Sequence, residues 1–495
     1  MRDSILTNKP PLIHTSSNQY EVTVNQSFFK PKEKNKEYPI PQLELLDDMV
    51  ATVKDKHILP DLSNTIFIGV QHILETTVTL FDSLIAIGIK PENMYFSGKC
   101  YSTSPEIEQQ VRKRGINLMP SNKPEEPGEY QKYCTKGITK MWELCVEEIS
   151  QKRVDMIIIL DEGGRCLETM PEFIGLNYRV AAIEQTRGGL YSEAVALLPF
   201  PLIEVASSAV KKILEPPLIA EAILNRFKLL LGGLNPPQNT IFGIVGNGAI
   251  GYGLCRYILS QGYKVVVYDQ NENAFENIVE VTFFRLSSIE SVISSANIIF
   301  GCTGKDITEG IDVLSIVKKE KRFISCTSED KEFKSLLRLM SSKHAVAVDT
   351  LSDIVCLSHN DSKIIVAQGG FPFNFDRKPW NVPARDIEVT QGLLLGACIQ
   401  AMTSATKPVS DGKTINKGSR QSLNPFIQSF VALHWLKKRN IEKHAAQKTE
   451  AFANIEWIKK NSGGEYHQNS LIGICFNAEK NVTSISNTPI IKAKL

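Results

Sequence analysis

Short, wholly apolar runs alternate along most of the chain with longer stretches whose apolar residues recur every three or four positions. Leu43, Leu45, Leu46, Met49, Val50 and Val53 follow the helical period and lead into an apolar run, Thr65 to Gly69. Further runs at 93–96, 155–160, 179–183 and 202–205 predict strands, and the intervening 75–87, 105–114 and 137–152 predict helices. A second set of runs begins at Asn239: 241–245, 264–268, 297–301, 322–326, 345–349 and 363–367. Strands that alternate with helices mean parallel sheets covered on both faces, so the fold class is α/β with two doubly wound domains. The apolar helix 388–402 would cross back to close the first sheet, and amphipathic helices follow at 426–438 and 449–459.

This pattern divides the chain into an N-terminal arm (1–40), a substrate domain (41–215, completed by about 376–405), a Rossmann domain (216–375) and a C-terminal extension (406–495). The arm is polar and lacks strand or helix periodicity, and a polar linker at 407–424 precedes the last helices. No internal repeat is present.

Composition narrows the partners. The 495 residues carry 56 basic and 54 acidic side chains, which gives no electrostatic case for nucleic acid or anionic lipid. No run approaches the ~18 apolar residues of a spanning helix, and the N-terminus lacks an apolar signal core, so the expectation is a cytoplasmic protein without membrane partners. The 10 cysteines are scattered without a C-x-x-C pair or ligand-spaced histidines, which points to reduced thiols and no metal.

The most specific chemistry lies after the strand Ile241–Val245, in Gly246-Asn247-Gly248-Ala249-Ile250-Gly251, with Asp269 closing the next strand. In this arrangement Gly248 lets the backbone approach a pyrophosphate and Gly251 lets the helix pack on the sheet. The helix N-terminus offers unpaired N–H groups to the phosphates, while Asp269 accepts from ribose hydroxyls and repels a 2′-phosphate. The cofactor expected is NAD.

Ligands of an open parallel sheet bind beyond its strands' carboxyl ends, which singles out four loops of the first domain. They are Val70-Gln-His72 through Glu75, Asp161-Glu162-Gly-Gly-Arg165, Glu184-Gln185-Thr186-Arg187-Gly-Gly189, and the segment after Val205 that reaches Lys211. Each taken singly also reads as a solvated turn or helix cap.

Several of these segments carry a family resemblance. His72 with Glu75-Thr76 resembles the L-H-M-T-V-E-T-A segment of S-adenosylhomocysteine hydrolases, one residue shorter. Tyr101-Ser-Thr-Ser-Pro-Glu106 resembles F-S-T-Q-D-H, Asp161-Glu-Gly-Gly164 resembles D-D-G-G-D, and Glu184-Gln-Thr-Arg-Gly188 resembles E-E-T-T-T-G. Gly246 to Gly253 resembles G-Y-G-D-V-G-K-G, Thr303-Gly304-Lys-Asp-Ile307 is similar to T-T-G-C-K-D-I, and Gly370 to Asn374 stands where that family has G-R-L-V-N. The resemblance runs from about Pro41 to Ala405.

It implies an NAD enzyme that oxidises a sugar hydroxyl, with Lys211, Glu215 and Glu162 as the catalytic groups. It further implies His72, Glu75, Glu106, Asp161, Arg165 and Gln185 at the substrate, and Thr186, Thr303, Gly304 and Asn374 beside the cofactor. A homodimer or higher homo-oligomer follows from the same comparison. Two family histidines have no counterpart: the chain reads Thr327-Ser-Glu-Asp330 after Cys326 and Phe375-Asp-Arg-Lys378 after Asn374, with His344 and His359 out of place. Glu106, Arg165, Arg187, Arg377 and Lys378 would add charge to the pocket. The readings left open are an enzyme with an altered, anionic or nucleoside-like substrate, an inactive NAD-binding scaffold that uses its tails on a partner, and a hydroxyacid-dehydrogenase relative.

Overall fold

The computed structural model describes residues 20–25, 37–121, 123–192, 195, 198–275, 283–342, 351, 353–358, 363–405, 420–438, 453, 454, 456, 460 and 471–476. Two sheets form its frame. The first contains β2 (Thr65–Gln71), β3 (Met94–Gly98), β4 (Asn117–Met119), β5 (Met156–Asp161), β6 (Val180–Glu184), β7 (Leu202–Glu204) and β15 (Arg420–Ser422), in the order β15-β7-β6-β5-β2-β3-β4. Every pairing in this sheet is parallel.

The strands of this sheet are buried on both faces, which is why they read as unbroken apolar runs. Along β5, Ile157 and Ile159 enter one core while Ile158 and Leu160 enter the other. One face is covered by the Tyr130–Gln151 helix and its buried Trp142. The opposite face carries the Glu44–Lys56, Glu75–Ala86, Ala384–Ser404 and Pro425–Lys437 helices. Ala384–Ser404 is buried on all sides from Glu388 to Met402. Gly392 and Gly396 permit this, since a Cβ there would meet Leu45 Cδ2 at 2.5 Å and Ile427 Cγ2 at 2.3 Å.

The second sheet has β1 (Tyr20–Asn25), β8 (Ile241–Val245), β9 (Lys264–Tyr268), β10 (Phe284–Arg285), β11 (Ile298–Gly301), β12 (Lys321–Ser325), β13 (Asp353–Ser358) and β14 (Lys363–Val366). Their order is β1-β13-β14-β12-β11-β8-β9-β10, with β13 and β1 antiparallel to their neighbours. Its two faces fill separate cores, Val265 and Val267 on one side and Val266 on the other.

The structure departs from the periodicity in four places. Tyr20–Asn25, expected in a structureless arm, pairs with β13, and Tyr38 donates to Glu75 Oε2 at 2.6 Å. The boundary expected at 215/216 falls inside one 22-residue helix, Ala209–Leu230, which runs through Pro216 and Pro217. Its first half packs Val210, Leu214 and Leu218 into the first unit and its second half packs Ala220, Ile223 and Phe227 into the other. The C-terminal extension returns Arg420–Ser422 to the first sheet as an edge strand. Short strands β4 and β10 are too brief to show a period. The expected strand 345–349, His344, His359, the linker 407–419, most of the helix 449–459 and the C-terminal tail lie outside the described residues.

Candidate functional site at the facing sheet edges

At the carboxyl edge of the first sheet, register places His72 beside Lys99 and Glu162 beside Gln185, one step past the paired ends of β2, β3, β5 and β6. The Glu162 carboxylate lies 2.6 Å from His72 Nε2 and 2.9 Å from Lys99 Nζ. Glu162 and Lys99 are only 4% and 2% exposed, so neither charge has water to fall back on. Burial pushes the Glu162 carboxyl up, but His72 and Lys99 outweigh it and hold the group below the usual carboxylate range. Burial pulls the His72 imidazole down against the pull of Glu162, which favours the neutral ring. Burial also lowers Lys99, but the adjacent carboxylate more than reverses it and keeps the ammonium charged. Ser102 Oγ lies 2.5 Å from His72 Nδ1, so the imidazole is held at both nitrogens, and Phe375 stacks on its face at 4.1 Å between centroids.

A buried carboxylate pair aims this loop. Asp161 accepts from the N–H of Glu162 at 2.8 Å and of Leu167 at 2.9 Å. Glu184 accepts from the N–H of Gly163, Gly164 and Thr186 and from Thr186 Oγ1. Gly163 and Gly164 adopt φ of 101° and 77°, so their amides can turn toward Glu184. Burial raises both carboxyls well above the usual range, and the nearby Asp161 charge pushes Glu184 up further.

The remaining expected residues fall into two groups. Lys211 and Glu215 stand one turn apart on the Ala209–Leu230 helix, with Nζ 2.6 Å from Glu215 Oε2 and Thr390 Oγ1 donating to Glu215 Oε1 at 2.9 Å. Lys211 is close enough to His72 to oppose its protonation. Gln185 is buried beside Glu162. Glu75 and Glu106 sit farther out: Glu75 binds Tyr38, and exposed Glu106 accepts from Ser104 Oγ. Arg165 turns away to Glu168 at 2.6 Å and to Glu329 of the second unit at 3.5 Å. It lines a cavity of about 150 Å³ between the two units, with Thr186, Tyr191, Ser328 and Lys331. Lys378 pairs with Asp376, so two of the four cations expected to attract an anion, Arg165 and Lys378, have carboxylates of their own.

Several buried polar atoms here have no hydrogen-bond partner among the described residues: Tyr101 Oη, Glu162 Oε2 and Gln185 Oε1, while Lys99 Nζ, ion-paired with Glu162 Oε1, has N–H donors to spare. Orphaned polar atoms are rare in interiors, and a group of them at a sheet edge marks a place for ligand or water.

In the second unit, Gly246 turns with φ of 97° and Gly251 packs so tightly that a Cβ would lie 1.9 Å from Gly246 O. Gly248 has nothing within 4 Å of its Cβ position, which leaves the space a pyrophosphate needs. The Ala249–Ser260 helix begins at Gly248 without a side-chain cap, and Ala249 and Ile250 form its first turn. Asn247 is tied by its N–H to Asp269 Oδ2 at 2.6 Å and by its amide to Ala274 O, with Oδ1 left buried and unpartnered. These features fit a dinucleotide. Thr303 and Gly304 face this site from the end of β11 and are held by Glu332, which also accepts from Thr327 Oγ1. Thr186 caps the Arg187–Leu190 turn in the first unit, and Asn374 is buried in the crossing segment.

Sequence reasoning missed Lys99, Glu332 and Phe375. Lys99 follows a strand without a motif, Glu332 acts on a loop distant in sequence, and Phe375 meets His72 from a crossing segment whose Phe373 and Phe375 carbonyls accept from Arg226 Nη1.

Residues 241–350 match the NAD-binding domain of 6-phosphogluconate dehydrogenase, so the second unit is an NAD-binding domain and its cofactor is NAD. Two curated proteins of Mycobacterium tuberculosis, uncharacterized proteins Rv0104 (strain H37Rv) and MT0113 (strain CDC 1551), are each 26% identical over 375 residues, covering 75% of this chain and 70% of theirs. Among solved structures, the dipicolinate synthase A chain of Bacillus subtilis aligns with 12% identity and a TM-score of 0.35, covering 70% of this chain and 99% of that one. An NADPH-dependent glyoxylate/hydroxypyruvate reductase of Sinorhizobium meliloti, solved with citrate, aligns with 12% identity and a TM-score of 0.31 over 54% of this chain and 86% of that one.

Proposed function

We propose that this protein is an NAD-dependent oxidoreductase acting on a secondary, sugar-type hydroxyl of a small substrate held at the carboxyl edge of the first sheet. The observation that carries the reading is the convergence of two self-neutralised pairs, Lys99–Glu162 and Lys211–Glu215, around His72, with orphaned donors and acceptors between β3, β5 and β6. Bound NAD supplies a hydride acceptor, and Gly246, Asn247, Gly248, Gly251 and Asp269 would hold it. The chain's own part is proton handling. The hydroxyl proton would pass to the Glu215 carboxylate, with the Lys211 ammonium beside the developing alkoxide and Thr390 fixing the carboxylate. Glu162, kept ionised, would accept hydrogen bonds and not donate them, and His72 would be held as a neutral relay against Ser102. Lys99 and Tyr101 offer donors while Glu162 and Gln185 offer acceptors, a combination suited to neutral hydroxyls more than to an anion.

This plan is that of an adenosylhomocysteinase-like enzyme with a substrate other than S-adenosylhomocysteine, since the family's two later histidines are replaced. Incubating the purified chain with nucleosides and polyols and following reduced-nicotinamide absorbance tests it. Protein that carries NAD no such compound reduces would overturn it. One observation favours the inactive-scaffold alternative: Phe375 covers the face of His72. Turnover that Lys211→Ala abolishes would dispose of that alternative.

A further inference from the structure

Cys302 and Cys326 each follow a strand of the NAD-binding sheet by one residue. Because β11 and β12 are paired parallel with Gly301 opposite Ser325, the two cysteines face one another in register and point to the same side. Both side chains pack on the core beneath the Ala249–Ser260 helix, and the Cys326 N–H donates to Gly301 O at 2.9 Å, which carries the parallel register through to the two cysteines. Neighbouring strands run ~4.8 Å apart, inside the Cα separation that a disulfide spans. Cys302 is partly exposed, whereas Cys100, Cys134, Cys145, Cys166, Cys255, Cys326 and Cys398 are buried. It is therefore the member of this pair that a small oxidant can reach.

The pair sits against the cofactor grip. A Cβ on Gly246 would lie 2.9 Å from both the carbonyl carbon and oxygen of Cys302, so the first turn of the grip rests on this residue's backbone. Thr303 follows Cys302 and Thr327 follows Cys326, and Glu332 holds both.

We propose that Cys302 and Cys326 form a reversible redox modification site whose disulfide displaces the wall of the NAD grip. The oxidant class is a peroxide. Cys302 as thiolate attacks a peroxide oxygen, releasing water and leaving a sulfenic acid. Cys326 sulfur then displaces the sulfenic oxygen as a second water, with the two thiol protons completing the waters. Two thiols and one hydrogen peroxide give one disulfide and two waters. Two electrons leave the sulfurs and reduce the O–O bond. Drawing Cys302 toward its neighbour moves the carbonyl on which Gly246 rests, so NAD binding weakens.

The test uses the full chain treated with hydrogen peroxide, quenched by alkylation and mapped by peptide mass spectrometry, with NAD affinity measured by calorimetry before and after. The expected result is a Cys302–Cys326 crosslink, a roughly fivefold or larger loss of NAD affinity, and restoration of both by dithiothreitol. Cys326→Ser should form no crosslink and lose the reversible change in affinity. Irreversible oxidation of Cys302 without a crosslink, or a crosslinked protein that binds NAD as the reduced one does, would overturn the proposal. Reduced protein that fails to bind NAD would instead count against the cofactor reading, with the crosslink still reporting on this one.

Discussion

Replacing Lys99 by methionine would keep a buried aliphatic stem and remove only the ammonium. Glu162 would then be left at 4% exposure with only the His72 ring, which burial favours as the neutral form, against it. Removing one partner of a buried ion pair costs about 3–5 kcal/mol, because the surviving charge has neither water nor counter-ion. For a unit of this size, each kcal/mol moves the melting temperature by roughly 2–4 °C, so calorimetry should find the first unit's transition lowered by roughly 6–20 °C. The double variant Lys99→Met with Glu162→Gln should recover much of that loss, since no buried charge is then orphaned. In the single variant the His72 imidazole should titrate higher by NMR: Lys99 opposes its protonation and Glu162, which favours it, remains. A melting shift under about 2 °C, or a double variant as unstable as the sum of the singles, would show that Lys99 and Glu162 are not coupled as their geometry requires.

Three further outcomes are expected. Glu184 is raised by burial to about 8, above its unfolded value, so its contribution to stability is full below the ordinary glutamate range and is lost as pH rises through the folded value; Glu184→Gln should flatten the decline in melting temperature between pH 5 and 9, and an unchanged slope would be contrary. Gly251→Ala should destabilise the second unit by about 1–3 kcal/mol through the clash with Gly246 O, whereas Gly248→Ala should leave melting unchanged yet weaken NAD binding by calorimetry, since its Cβ enters open space. Asp269→Ser should narrow the preference for NAD over NADP by removing the carboxylate that faces a 2′-phosphate, and an unaltered ratio of dissociation constants would assign that preference elsewhere.

The two sheets were legible because strands buried on both faces must be apolar throughout, as β5 and β8 are, and the grip was legible because its glycines answer to fixed steric demands. Lys211 and Glu215 were singled out only through the family resemblance, and their pairing one turn apart on a helix is what the structure adds. What stayed hidden depends on partners far away in sequence. Lys99 carries no motif, and its proximity to Glu162 exists only once β3, β2 and β5 lie side by side. The helix through Pro216 and Pro217 reads as a boundary because proline ordinarily interrupts the helical hydrogen-bond ladder. Packing into two cores carries the helix across it. Tyr20–Asn25 does alternate, with Tyr20, Val22 and Val24 set against Glu21, Thr23 and Asn25, but so short a run within a polar arm is easily passed over, and it gains strand structure by pairing with β13.

The nesting of one unit within the other bears on how the chain comes off the ribosome. The Ala384–Ser404 and Pro425–Lys437 helices and β15 belong to the first unit, yet they are synthesised after the whole of β8 to β14. The NAD-binding sheet can therefore close, its β1 edge having been made first, while Leu45, Met49 and Phe81 still wait for Leu393, Ile399 and Ile427 to cover them. During that interval the nascent first sheet presents a sticky apolar face, a natural client surface for a chaperone and the stage of synthesis at which misassembly is most probable.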